Sequence, residues 1–336
     1  MTLVTTVRGR RGNFEPWWQA IVTPPKELVD FWFDYPLEAT PSAGPRDSLH
    51  YYIYSDRLFF DAMALDDQGI PIHCSRHFGR TYNPAYVAWY GLASLEGWLR
   101  GRDPSGQRTF MEQVEWLRRR AVTRDDGSVV WPLTFAWQEG ECRLEAPWIS
   151  AMAQGLAISA LVRSHRITAD RQVLELCRAA TEVFRKNVED GGVRTLEAGG
   201  ALYEEYPGFP LPRVLDGYLF SLLGLYDYAA QTHDPAVSRL FADGIDGLVQ
   251  MLPSWDYRGK WSWYGSRGFL CPLHYHKLNS VLLATLARLS GEPTVAHYAR
   301  AWDPARLTML DRAGVFPAFL VTKNRSRLKR LLRWRR

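Results

Sequence analysis

The chain of 336 residues has no run of eighteen uninterrupted apolar residues, no paired cysteine spacing and no segment biased toward disorder. The first absence argues against a membrane-spanning helix. Residues 1–13 carry Arg8, Arg10 and Arg11 without an apolar run behind them, so a secretory signal peptide is not expected either. The four cysteines, Cys74, Cys142, Cys177 and Cys271, lie far apart; a disulfide framework is excluded and a cytosol-like compartment is expected. No glycine-rich phosphate loop sits between a strand and a helix, and no serine nucleophile elbow occurs. The His274-Tyr275-His276 run lacks a third ligand at a recognisable interval, so no metal or other cofactor is expected.

What remains is a globular composition, 46% hydrophobic, 13% aromatic and 23% charged, enough for a large core. Its net charge of +5 conceals an asymmetry. Residues 323–336 read KNRSRLKRLLRWRR, with eight basic residues and no acid, whereas the preceding 322 residues hold 33 bases against 36 acids. A solvated terminus is one reading of this tail. Leu328, Leu331, Leu332 and Trp334 among the bases suit a helix on an anionic membrane surface, and contact with a polyanion is a third reading.

Apolar residues recur at helical spacing in four long segments, around 87–99, 149–161, 215–226 and 278–289. Each is preceded by a proline suited to a first helical turn, Pro84, Pro147, Pro212 and Pro272, at intervals of 63, 65 and 60 residues. A second amphipathic segment follows each one, and Asp234 before Pro235 is a ready cap for the third of these. Four helical hairpins that cannot bury their apolar faces alone must stack. The expected fold is therefore mainly α, an incomplete α/α toroid with an axial cleft. The connections between hairpins, at 127–137, 191–206 and 258–271, alternate glycine with β-prone aromatic residues and predict short β-hairpins gathered at one end. Residues 1–80 read as an N-terminal β-containing segment, 81–310 as the toroid and 311–336 as a basic tail.

The connecting loops are rich in rings: Trp131, Trp137, Tyr203, Tyr206, Trp255, Tyr257, Trp261, Trp263 and Tyr264. Such rings either pin loops to the rim or offer stacking platforms to a carbohydrate. Three segments place ionisable groups side by side: Tyr203-Glu204-Glu205-Tyr206-Pro207, Tyr264 with Arg267 three residues on, and His274-Tyr275-His276.

PWISAMAQGLAISALVRS at 147–164, LYEEYPGFPLPRVLDGYLFSLLGLYDYA at 202–229 and the Tyr275-His276 helix start resemble, in that order, the C-terminal helical domain of the D-glucuronyl C5-epimerases of heparosan-type glycosaminoglycans. YNPAYVAWYGLASL at 82–95 resembles the opening of that family's helical part, so the likeness spans roughly residues 50–305. The resemblance implies removal of the C5 proton of a uronic acid residue within a polymer and reprotonation from the opposite face. It places catalytic groups on Tyr206, Tyr275 and Glu205, and substrate contacts on Tyr264, Arg267 and His276. Tyr82 is a further cleft candidate.

Two other readings share these residues. A polysaccharide lyase would use the same C5 carbanion to expel the C4 substituent, and a glycan-binding protein would keep the cleft without turnover. The expected partners are an anionic polysaccharide and, through the tail, an anionic membrane touched peripherally from the cytoplasmic side. Nucleic acid is not among them, and a homodimer is compatible with the chain.

Overall fold

The computed structural model describes residues 29, 31–34, 36–42, 48–55, 63–75, 78–197, 199–266 and 268–334, with side chains through 329. The described chain is mainly helical. Eight helices form four antiparallel pairs: α1 (Pro84–Leu99) with α2 (Gly106–Arg120), α3 (Ala151–Thr168) with α4 (Arg171–Thr181), α5 (Leu215–Thr232) with α6 (Pro235–Trp255), and α7 (Leu273–Ser290) with α8 (Pro293–Ala301). A ninth, α9 (Met309–Trp334), takes in the basic tail.

The first helices of the pairs form a continuous row, α1 against α3, α3 against α5 and α5 against α7, and each second helix packs on the outside of its partner. Burial follows that order. Almost every residue of α3 from Ala151 to Ser164 is buried, whereas α4 buries only Val173, Cys177, Ala180 and Thr181. A helix apolar all round belongs between layers, and one with a single apolar stripe belongs at the surface. Each fully buried leucine of the inner row, such as Leu156, Leu161, Leu219 or Leu222, contributes about 1.5–3 kcal/mol. The α3–α5 contact is close because Gly155 and Gly224 face each other there; a β-carbon on either would strike the other helix's backbone.

The predicted caps divide. Asn83 caps α1, with Pro84 in its first turn, and Asp234 Oδ1 accepts from Ala236 N–H at 2.8 Å at the start of α6. Pro147 and Pro212 fall short of their helices, which begin at Ala151 behind a Ser150 cap and at Leu215. Those prolines end the incoming loops, a job equally suited to a residue that cannot donate a backbone hydrogen bond.

The connections carry antiparallel two-stranded hairpins as the glycine-aromatic alternation predicted. In chain order they join β6 (Val122–Thr123) to β7 (Val129–Val130), β8 (Trp137–Glu139) to β9 (Cys142–Leu144), β10 (Arg194–Glu197) to β11 (Gly200–Tyr203) and β12 (Asp256–Tyr257) to β13 (Trp261–Ser262).

Ahead of α1, β1 (Leu37–Ala39) pairs with β2 (Ile53–Ser55), and β3 (Ala64–Leu65), β4 (Pro71–Ser75) and β5 (Gly79–Thr81) form a three-stranded sheet. These strands lie on the helices and share their core, with Tyr51, Tyr52, Ile53 and Ile70 in the same apolar cluster as α1, α3 and α5. Polar anchors secure them. Arg163, wholly buried on α3, donates to Asp227 at 2.6 Å and to the His50 carbonyl at 3.0 Å, with its guanidinium over the rings of Tyr51 and Tyr52. Tyr52 Oη donates to the same Asp227 at 2.7 Å, while buried Glu96 accepts from Tyr51 N–H and from Arg100.

Candidate active site

A cavity of about 430 Å³ opens between the N-terminal strands and the inner helices. One wall comes from Leu37, Ser55, Met63, Ile72, His73 and Cys74; the other comes from Tyr86 of α1, Glu205 and Tyr206 after β11, Asp216 of α5, Tyr264 after β13, and Tyr275 of α7. Residues from four helical pairs therefore converge on one space. Tyr86, Asp216 and Tyr275 sit in the first turns of inner helices, and Glu205, Tyr206 and Tyr264 sit on the loops that lead into α5 and α7.

Glu205 and Asp216 form the acidic heart of the cavity. Glu205 packs against the first turn of α5 beside Gly217, and its Oε2 has no hydrogen-bond partner. Burial, and next the nearby Asp216 carboxylate, hold its carboxyl well above the usual carboxylate range. Asp216 accepts from the backbone amides of residues 216 and 217, yet burial outweighs these bonds and pushes it up to about 7. Two carboxyls this close titrate as a pair, and near neutral pH the pair retains a proton.

Four phenols surround the acids. Tyr206 lies within hydrogen-bonding reach of Glu205, and its ring stacks on Trp137 at 6.3 Å. Tyr264 meets Tyr275 edge-on at 5.4 Å and stacks on Phe269 at 5.0 Å. Burial first, and then neighbouring acids or phenols, hold the hydroxyls of Tyr206, Tyr264 and Tyr275 well above the ordinary phenol value; Tyr86 rises to about 12 for the same reasons. All four are therefore neutral donors at rest. His73 is kept neutral by burial and its Nδ1 is unpartnered.

Of the residues expected from sequence, Glu205, Tyr206, Tyr264 and Tyr275 share this cavity. Two do not reach it. His276 is fully buried behind it, stacked on Trp261 at 4.1 Å, with Nδ1 accepting from Ser262 N–H at 3.1 Å. Burial lowers its pKa to about 3; it braces the β13 loop and does not line the cavity. His274 and Tyr275 at the start of α7 line the cavity, whereas the next residue, His276, turns to Ser262 and Trp261. Tyr82 donates to Asp66 at 2.8 Å and lines a separate surface cleft with Trp116 and Arg120. Its place is taken by Tyr86, one helical turn on. Arg267 lies outside the described residues.

Asp216, His73 and Tyr86 were missed. Asp216 sits in the quoted LYEEYPGFPLPRVLDG segment and could have been flagged as an acid at a helix start. His73 carried no such signal, because the pairing that turns it inward is tertiary. Of the nine loop aromatics, Trp131, Tyr203, Trp255 and Trp261 are fully buried and act as pins. Among the described residues no group of three His, Cys, Asp or Glu is arranged to hold a metal ion, and no Lys or Arg lines the cavity.

The sequence profile of the family described as D-glucuronyl C5-epimerase C-terminus matches residues 124–304. The D-glucuronyl C5-epimerase of Caenorhabditis elegans is 31% identical over 235 residues, an alignment taking in 64% of this chain and 38% of the worm protein, so the chain corresponds to little more than a third of that relative. An uncharacterized protein of Methanocaldococcus jannaschii is 25% identical over 219 residues, covering 61% of this chain and 70% of its own. Among solved structures, PssZ from Listeria monocytogenes aligns with 88% of this chain and 98% of its own at 11% identity and a TM-score of 0.31, a likeness that carries no argument.

Proposed function

The chain belongs to the D-glucuronyl C5-epimerase C-terminus family, and from that premise we propose that it is an isomerase inverting C5 of uronic acid residues within a polysaccharide, of the D-glucuronate to L-iduronate type. The observation that carries the proposal is the single cavity lined by both Tyr206 and Tyr275, with Glu205 beside Tyr206. Inversion needs an acid/base group on each face of the sugar carbon.

As the C5 proton moves to the Tyr206 oxygen, the phenol passes its own proton to Glu205. Tyr275 then donates its phenolic proton to the opposite face of C5, and solvent restores both groups. The raised carboxyl of Glu205 suits this relay, because a buried carboxylate is a stronger base than an exposed one and lies nearer in pKa to a phenol. Both tyrosines are protonated at rest, so either can be the donor.

The substrate's own carboxylate must be neutralised before its neighbouring carbon can carry negative charge. Tyr264 would donate to it, and the pair's proton, held on Asp216 while ionised Glu205 accepts from Tyr206, would provide a second donor. Arg267, three residues after Tyr264, is assigned the ion pair with that carboxylate, a task suited to a planar guanidinium. We further read the two-layered array as an incomplete α/α toroid whose loop-bearing end receives the polymer, with heparosan-type chains or bacterial uronate polysaccharides as the substrate class.

The test is incubation of uncleaved uronate polymers in heavy water. Deuterium at C5, seen by nuclear magnetic resonance with chain length preserved, supports the epimerase. Ultraviolet-absorbing unsaturated ends would replace it with a lyase, and binding without exchange would replace it with a glycan-binding protein.

A further inference from the structure

Eleven large apolar side chains are exposed among the described residues, and seven of them lie on α9 or on the 29–33 segment beside it: Val29, Trp32, Phe33, Met309, Leu310, Val321 and Leu328. Soluble surfaces scatter such residues singly, and a concentration on one element marks an interaction face. The two elements are in contact, with Trp32 against Phe316 at 5.4 Å and Phe31 against Phe319 at 4.8 Å.

Helix α9 has two faces. Val315 and Phe319 dock it onto Trp261, Leu270 and Leu273. On the opposite side Leu310, Gly314, Pro317, Val321 and Leu328 recur every three, four or seven residues, all exposed. Leu310 keeps 84% of its surface and Val321 67%. After Asp311, whose charge is met by Lys260 at 2.6 Å, no acid occurs to the end of the chain, and nine bases do.

We propose that this face, the apolar stripe of α9 with Trp32 beside it, docks on an anionic lipid surface, lying in the headgroup plane with its basic end against the lipid charge. The geometry is that of an interfacial amphipathic helix, whose binding combines shallow apolar burial with attraction to anionic lipids. Among the described residues no helix is long and apolar enough to cross a membrane. A second copy of the chain is a poor occupant, because two helices that carry only bases beyond Asp311 repel across a shared seam. An anionic surface gains from the same charges. The exposed tryptophan fits as well, since indole rings favour the membrane interface.

The docking has a consequence for the site. Another flank of α9, through Thr322, Ser326 and Lys329, lines a cleft of about 590 Å³ that shares Tyr264 with the candidate active site. A docked chain therefore holds that cleft about one helix diameter, ~10–12 Å, from the headgroups. The docking does not rest on the epimerase reading, and its test contains no sugar.

The full chain is sedimented with vesicles of equal parts phosphatidylcholine and phosphatidylglycerol, and with phosphatidylcholine alone. Binding to the anionic vesicles that weakens with salt is expected. Leu310→Glu with Val321→Glu should lower it at least tenfold. Wild-type chain left in the supernatant, equal binding to both vesicles, or full binding by the double variant would each overturn the proposal. So would a wild-type dimer dispersed by the double variant, which would make the face a copy interface, or a marked fall in the variant's Tm, which would mean the chain covers the face itself.

Discussion

The Glu205 carboxyl occupies the space that a β-carbon on residue 217 would fill: a methyl group built on Gly217 meets Glu205 Oε2, Cδ and Cβ at once. Glycine here is a condition for the acid to sit on the first turn of α5 beside Asp216. Gly217→Ala should lower stability by about 1–3 kcal/mol through overpacking. It should lower C5 exchange further, by at least tenfold, because the displaced carboxyl no longer receives the Tyr206 proton. Denaturant melts and deuterium exchange on the same preparation separate the two effects; loss of stability with unchanged exchange would remove Glu205 from the relay.

Tyr206 and Tyr275 both line the cavity, so removing only their hydroxyls should cost little stability. Tyr206→Phe and Tyr275→Phe are each expected to lower epimerisation by about 10²–10⁴-fold, the usual worth of a positioned acid or base. Started from each C5 epimer separately, one variant should still release label from the D-epimer and the other from the L-epimer. Identical residual behaviour from both would argue against opposed faces.

The pH dependence of stability isolates Asp216. Its folded-state pKa, about 7, lies above the value of an unfolded aspartate, so the folded protein binds the extra proton between roughly pH 4 and 7. This contribution is fully present below the unfolded value and is lost as pH rises through 7. Asp216→Asn, which stays neutral, should therefore melt above wild type at pH 8, by a margin that shrinks toward pH 5. A margin independent of pH would show that the carboxyl is ionised throughout.

Arg163 and Asp227 test the seam between the strands and the helices. Breaking a buried pair from one side costs about 3–5 kcal/mol because the other charge is stranded. Arg163→Met should destabilise by that amount, and adding Asp227→Leu should recover much of it, read as the midpoint of chemical unfolding. Because the N-terminal strands form one wall of the cavity, Arg163→Met should also raise KM more than it lowers kcat.

The helical periods, the Asp234 cap and the glycine-aromatic hairpins were legible because they are local: backbone geometry and side-chain reach over three or four residues decide them. Tyr206, Glu205 and Tyr264 were legible only in company, as ionisable runs on loops that a repeated hairpin must gather. The sequence did not separate residues that line the cavity from nearby ones that do not. Tyr275 faces the cavity and His276 faces Ser262; Tyr82 faces Asp66 and Tyr86 the cavity.

The chain's own pattern of apolar residues and charges dictated four hairpins and a basic terminal stretch, acid-free beyond Asp311, since periodicity and charge are written residue by residue. Only the packed structure decided that the N-terminal strands close one side of the cavity, that Asp216 joins Glu205 there, and that His73 turns inward. Those facts depend on which surfaces meet, a choice made by the whole core at once and carried by contacts such as Arg163 with Asp227, 64 residues apart in the chain.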